Sequence, residues 1–187
     1  MRKQDEVERI VQALAAEPDT ECALRRLLTE ARRLTRADAG TVYLREGDLL
    51  RFAAAQNDAL AARLGDAETQ RRLTAEPLGL NDPSIAGYVA LTRGSVNIAD
   101  VYEIPLERPY EFDRQLDTLN GYRTRSMLAM PIRDARGDVF GVLQLINALG
   151  DTGAAAVPFD AESEALVATL LAHFARLTSA KPAPPPD

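Results

Sequence analysis

The apolar positions of the chain change spacing several times. Near the amino terminus they recur every three or four residues, with Val7, Ile10, Val11 and Leu14 set among Asp5, Glu6, Glu8 and Arg9. That spacing predicts an amphipathic helix. Its stripe is narrow, and short helices are marginal alone in water, so it must pack on the domain or on a second copy of the chain. Glu17-Pro18-Asp19 breaks it. Asp19 or Thr20 then caps a second helix bearing Leu24, Leu27, Leu28, Ala31 and Leu34, with Gly40 after its end. From there the spacing tightens. Thr41-Val42-Tyr43-Leu44 predicts a strand, Glu46-Gly47-Asp48 a turn, and Leu49 to Ala55 the antiparallel partner. Gln56 to Asp66 is Ala-rich and polar without β-branching, which fits a short helix or a loop. Arg71 to Leu78 is a weak edge-strand candidate, because Pro77 cannot donate to a ladder. Ser84 or Asp82 caps a helix over Ile85 to Thr92 that stops at Gly94, and Val96 to Ile98 is a short strand.

The densest apolar signal lies in Gly121 to Asn147, GYRTRSMLAMPIRDARGDVFGVLQLIN. Met127 to Ile132 and Val139 to Ile146 flank a polar turn that contains Gly137, the pattern of a β-hairpin. Neither run alternates with polar residues, so both faces of these central strands are covered. The last helix runs from Asp160 to Leu177, with Phe159, Leu166, Val167, Leu170, Leu171, Phe174 and Leu177 on its apolar side. Lys181 to Asp187 holds four prolines and reads as a linker. Helices at both ends of an antiparallel sheet make an α+β domain. Its expected limits are 1–17 for an amino-terminal linker or dimerisation helix, 18–179 for the domain, and 180–187 for the Pro-rich linker.

One segment does not fit regular periodicity. Ala99 to Asn120 carries Asp100, Glu103, Glu107, Glu111, Asp113 and Asp117 together with Tyr102, Tyr110, Phe112 and two prolines. A crossover this long inside a compact domain is usually functional or a lid. Beneath it, Gln144 is the one polar side chain between Val139 and Ile146, and by parity it shares a face with Phe140, Val142 and Ile146. A buried amide must find partners. It therefore bonds the crossover backbone or forms the floor of a pocket. The N–H groups of Ile85 and Ala86, at a helix start, either hold an anion or simply lie where packing puts them. Arg123 and Arg125 either neutralise an anion or pair with acidic neighbours on the crossover.

Composition narrows the function. A net charge of −6 and a pI near 4.9 argue against nucleic acid or an anionic membrane as a partner. No apolar run approaches the roughly 18 residues of a spanning helix. The charged amino terminus is not a signal peptide, and one cysteine is compatible with a reducing cytoplasm. Catalysis is disfavoured by what is missing. His173 is the single histidine and sits beside the apolar stripe of the last helix, while Cys22 reads as a small buried hydrophobe. Neither zinc ligation nor a Gly-rich phosphate loop is supported. No enzyme activity and no cofactor are expected.

GYRTRSML, the following PI, GDVFGVLQLIN, SIAGYVALTRG with NIADVYE, and the Phe159…Glu164 segment together resemble a GAF domain over roughly Thr20 to Ser179. The resemblance is strongest to the GAF domains of cyclic-nucleotide phosphodiesterases and of bacterial HD-GYP and diguanylate cyclase signalling proteins. It implies a six-stranded antiparallel sheet with the terminal helices on one face and a ligand pocket on the other. It also implies a short crossover helix that closes over the ligand. By position, Asp117, Asn120, Thr124 and Gln144 match family residues that contact a nucleotide; turn or cap roles would equally suit the first three. With Ile85 and Ala86 these are the candidate ligand-binding residues. The implied function is a sensory module in signal transduction that binds a small molecule, a cyclic nucleotide among the candidates. It would act as a homodimer through its terminal helices. The alternative is a ligand-free dimerisation scaffold. Two departures stand out. Relatives carry a Lys–Asp ion pair that helps hold the lid, and here those places are Ala148 and Ser163, although Asn147, Phe159 and Glu164 match. The aromatic that stacks on the base in relatives is not at its place, where this chain has Ala53-Ala54-Ala55.

Overall fold

The computed structural model describes residues 3–73, 76–153 and 155–178. The proline-rich run 180–187 lies outside the described residues. The amino-terminal helix α1 spans Lys3–Ala15 and α2 spans Thr20–Thr35, the latter capped by the Asp19 carboxylate on the Cys22 N–H. Strand β1 (Ala37–Glu46) begins four residues earlier than its β-branched core suggests. Ala37-Asp38-Ala39-Gly40 has poor intrinsic strand propensity, but pairing with a central strand overrides it. Arg36, in the left-handed conformation, ends α2 in place of the expected glycine. Gly40 instead lies inside β1. A Cβ there would sit 2.8 Å from both the Gln144 carbonyl oxygen and the Leu28 side chain, so its absence lets α2 close onto the sheet.

Strand β2 is Leu49–Asn57, followed by α3 (Asp58–Leu64), which Asn57 caps, and α4 (Asp66–Leu73). The edge strand expected over Arg71 to Leu78 is reduced to β3 at Leu78–Gly79, because Arg71-Arg72-Leu73 ends α4. Glu68 pairs with Arg71 and Arg72 at i+3 and i+4, contacts that only a helix brings together. Helix α5 (Ile85–Thr92) is capped by Ser84, one of the two candidates, and ends at Arg93 in the left-handed conformation rather than at Gly94; β4 is Val96–Ile98. The crossover contains a one-turn 3₁₀ helix at Val101–Glu103 and helix α6 at Gln115–Asn120. Strands β5 (Met127–Arg133) and β6 (Val139–Leu149) form the hairpin, β7 is Ala156–Val157, and α7 is Ala161–Thr178.

All described strand pairs are antiparallel, in the order β3-β2-β1-β6-β5-β4, with β7 added at the far end of β6. Both faces of the sheet are covered, each for its own reason. Val42, Leu128, Met130, Ile132, Leu143 and Leu145 face α1, α2 and α7, where Leu27, Leu28, Leu170 and Phe174 complete one core. The alternate residues, Tyr43, Met127, Ala129 and Val142, face α5 and the crossover, where Ile85, Val89, Val101 and Tyr110 complete a second. Within the chain, α1 spends its stripe on the first core: Ile10 and Leu14 belong to it, and Val7 is buried as well.

Gly141 marks the tightest place in the sheet. A Cβ there would lie 2.5 Å from the Tyr43 carbonyl oxygen on β1. Gly141→Ala should therefore force β1 and β6 apart and cost about 1–3 kcal/mol, seen as a lower midpoint in urea unfolding. An unchanged midpoint would show that the two strands can separate freely at this point.

Candidate functional site

Between the second face of the sheet and the crossover lies a cavity of about 110 Å³. Thr41, Tyr43, Met127, Gln144 and Ile146 form its floor; Leu60, Leu73, Phe112, Leu116 and Asn120 close it from above. Thr41 and Gln144 are directly paired neighbours on β1 and β6 and point to the same face. They are 8% and 7% exposed. Neither side chain makes a hydrogen bond to another described residue, and their polar ends are open to the cavity. The crossover backbone does not take up the Gln144 amide; its polar atoms face the cavity.

Aromatic walls come from Tyr43, Phe52, Phe112 and Tyr122. Phe52 and Ala55 both line the cavity although they are three residues apart, which a regular strand forbids. The cause is a bulge. Val42 pairs with Ala54 and Tyr43 with Phe52, so Ala53 is an extra residue. Ala53 and Ala54 then both turn to the helical core, and Phe52 is swung onto the cavity face. An aromatic wall thus exists without an aromatic at 53–55. Desolvation by burial raises the Tyr43 phenol well above the usual tyrosine range, so it is neutral at any working pH.

The crossover is held down by a carboxylate. Asp117 Oδ2 accepts from the Tyr102 hydroxyl at 2.9 Å and from the Thr124 N–H at 2.8 Å, and Oδ1 accepts from Thr124 Oγ1 at 2.8 Å. The Tyr102 ring lies under the guanidinium of Arg123, 3.5 Å from its centroid, and of Arg114, at 4.1 Å. Arg123 bonds Asp100 at 2.8 Å, and Arg125 approaches the same carboxylate at 3.8 Å. Both arginines thus pair with the acidic crossover. Further ties fix its end: Arg63 from α3 donates to the Asn120 and Gly121 carbonyls, capping α6. Tyr122 donates to Asp38 at 2.7 Å, and the Asn147 amide binds Tyr122, the Arg123 carbonyl and the Arg125 N–H. Burial and the Asp38 carboxylate push the Tyr122 phenol far up.

The structure brings Asp117, Asn120, Thr124 and Gln144 around one cavity. Their roles differ. Asp117 and Thr124 spend their polar atoms largely on each other, Asn120 donates to the Leu116 carbonyl, and Gln144 is uncommitted. Ile85 and Ala86 are not part of the lining; both are buried in the apolar cluster under α5. Thr41, Asn57, Phe52 and Tyr122 were not singled out from sequence. Thr41 alone had a readable signal, a hydroxyl among apolar residues on a predicted strand, but only the β1–β6 register shows that it meets Gln144. Cys22 is half-buried rather than buried, because it sits beside the Leu24, Leu27 and Leu28 stripe and not on it. In place of the Lys–Asp lid pair, Ala148 contributes only its N–H to Ser126 Oγ, and Asn97 bridges the Phe159 carbonyl and Glu164. Among the described residues no cluster of three His, Cys, Asp or Glu side chains is placed to hold a metal, and no helix is long and apolar enough to cross a membrane.

The GAF domain family model matches residues 19–177 of this chain. The chain belongs to the GAF domain family. Its curated relatives include the cGMP-specific 3',5'-cyclic phosphodiesterases of Drosophila ananassae, 32% identical over 149 residues, and of Drosophila melanogaster, 32% identical over 150 residues. Each match covers 74% of this chain but 12% of the relative's length. Among solved structures, the GAF domain of an Acinetobacter phosphoenolpyruvate-protein phosphotransferase superposes with a TM-score of 0.69 at 18% identity, covering 95% of this chain and 93% of that one. A free methionine-R-sulfoxide reductase from Neisseria meningitidis superposes with a TM-score of 0.67 at 18% identity, covering 95% and 89%. At this identity the structural likeness speaks to the fold.

The Asp100 carboxyl gives a pH test of the crossover. Burial alone would raise it, but the hydrogen bonds from Arg123 and from the Tyr102 N–H outweigh burial and hold it below the ordinary aspartate value. Its contribution is therefore complete above a pH of about 4 and fades as the pH falls through the lower folded value. Protection of the amides of residues 99–125, taken relative to the intrinsic exchange rate at each pH, should fall in that acid window. Asp100→Asn should exchange fast already at pH 7. Slow exchange in that variant would show that the ion pair does not hold the crossover.

Proposed function

We propose that the chain is a regulatory module that senses a small molecule and has no catalytic chemistry of its own. One observation carries this reading: Gln144 and Thr41 are buried, unpartnered and aimed into a cavity under a tied-down crossover. Groups of this kind, without a protein partner, must be met by water or by a ligand, and a ligand that meets them as well as buries them gains up to about 1 kcal/mol each. Occupancy would favour one crossover arrangement. The crossover runs through Thr124 into β5, whose Leu128, Met130 and Ile132 pack in the same core as α7. A change in the strap thus has a packed route to the terminal helix and to whatever follows it. Such coupling requires that the ligand bind two states unequally. Family resemblance supports an output domain in signal transduction and places cyclic nucleotides among the first ligands to test. Self-association would use the outer side of α7, where Ala165, Ala168 and Ala172 are exposed.

A second reading, a ligand-free dimerisation scaffold, is favoured by the size of the cavity. About 110 Å³ falls well short of the roughly 300–1,000 Å³ of pockets for drug-sized ligands.

Thermal unfolding against a metabolite panel including cyclic AMP, cyclic GMP and cyclic-di-GMP separates the two. A true ligand at a hundred times its Kd stabilises by about 2.7 kcal/mol. Gln144→Ala should erase the shift while leaving the unliganded domain folded. A silent panel favours the scaffold. For association, Ala172→Glu places a charge on the exposed side of α7 and should convert a dimer to monomer in sedimentation; an unaffected dimer removes α7 from the seam.

A further inference from the structure

The charges around the cavity have one sign. Among the described residues no Lys, Arg or His lines it, whereas Asp113 and Asp117 do. Asp117 is 5% exposed, and its hydrogen bonds come from neutral donors, the Tyr102 hydroxyl and the N–H and hydroxyl of Thr124. The arginines of the neighbouring elements turn elsewhere: Arg32 to Asp58, Arg63 to the carbonyls that end α6, Arg123 and Arg125 to Asp100. A buried carboxylate met by neutral donors favours a cation beside it. The uncommitted polar side chains point the same way, because they can offer oxygens. Gln144 and Thr41 are more than nine-tenths buried, with their polar ends open to the cavity. The Asn120 amide donates to the Leu116 carbonyl and keeps its oxygen to accept. Much of the remaining wall is aromatic, from Tyr43, Phe52, Phe112 and Tyr122. Aromatic rings attract ammonium groups through their negative faces. An alkali-metal ion is served less well, since it exchanges its water for a shell of oxygens, and here rings take up that space. Size sets the upper limit. A void of about 150 Å³ takes one benzene ring, so one of about 110 Å³ takes a group of about four non-hydrogen atoms or fewer.

Resting on the sensing reading above, we infer that with the crossover closed the site takes a small primary ammonium ion, of the size of methylammonium or ethylammonium, held by the Gln144 and Thr41 oxygens in the field of Asp117. Thermal unfolding of the full chain in methylammonium, ethylammonium, ammonium, sodium and potassium chloride at one ionic strength tests it, with acetamide as a neutral molecule of similar size. At least one of the three ammonium ions should raise the midpoint saturably, with a Kd about tenfold or more below those of sodium, potassium and acetamide. Gln144→Met, which keeps the volume and removes the amide, should weaken that ion about tenfold or more, and Thr41→Val about fivefold, while both variants still unfold cooperatively. Asp117→Asn keeps the shape and removes the charge, and should weaken the ion at least as much as Gln144→Met; if it also loosens the crossover, the two floor variants decide. Acetamide or an alkali-metal ion binding as tightly as the ammonium ions overturns this inference and leaves sensing intact. An ammonium affinity unchanged in Gln144→Met and Thr41→Val also overturns it. If the ammonium ions fail while the metabolite panel above yields a neutral or anionic ligand, the charge assigned to the ligand is wrong and sensing stands. If that panel is silent too, the sensing reading falls with it.

Discussion

Strands β1, β5 and β6 are covered on both sides, so a polar side chain on them sits where an unmet hydrogen bond is costly. Most of the polar detail follows from that constraint. Asn147, in the left-handed conformation, uses its amide on three groups at the crossover exit. Ser126 bonds the Ala148 N–H, and Tyr122 finds Asp38. Among the described residues of these strands, Gln144 and Thr41 are a pair without protein partners, and they lie next to each other where the second core opens into a void. A packing fault would be expected to scatter; a shared, aligned pair under a roof has the arrangement of a recognition surface.

The roof is held by means other than the ion pair known in relatives. With Ala148 and Ser163 in the Lys and Asp places, the strap relies on the Asp117 carboxylate and on Arg123, which bonds Asp100 while lying over Tyr102. The Asp117 bonds are buried or part-buried and charge-assisted, whereas the Arg123–Asp100 pair lies at the surface and contributes less. They also act on the strap itself, rather than on the junction between β6 and α7. The crossover is therefore fixed by contacts within and beside itself.

Much of this fold was legible. The hairpin, the two-sided burial of its strands, the capping of α2 by Asp19 and of α5 by Ser84, and the apolar face of α7 all follow from periodicity and local hydrogen bonding. The resemblance to GAF domains supplied the sheet and the placing of the helices, which the structure reproduces. Readings from propensity failed in two places: β1 was begun too late because its first residues are Ala, Asp and Gly, and Arg71 to Leu78 was assigned to a strand although Glu68 had already committed Arg71 and Arg72 to a helix. Other readings failed for other reasons: Ile85 and Ala86, placed at the site as a helix start, are buried off the cavity, and Phe140, given the face of Gln144 by parity, packs on the helical core beyond the irregular register between Ile132 and Arg133. At the site, Gln144 was readable because a lone amide in an apolar run is conspicuous. Asp117 and Thr124 were readable as polar residues near the pocket, but that they would bind each other depends on a fold-back of the crossover that no local pattern encodes. Thr41 depended on register, and Phe52 on a change of parity.

That change of parity has a wider meaning. One surplus alanine in β2 decides whether an aromatic ring faces the void or the helices, while the flanking ladder to β1 resumes on either side. Gain or loss of a single residue in this strand would exchange the side chains that β2 alone lends to the cavity wall, Phe52 first among them, while the pairing of β1 with β6 is untouched.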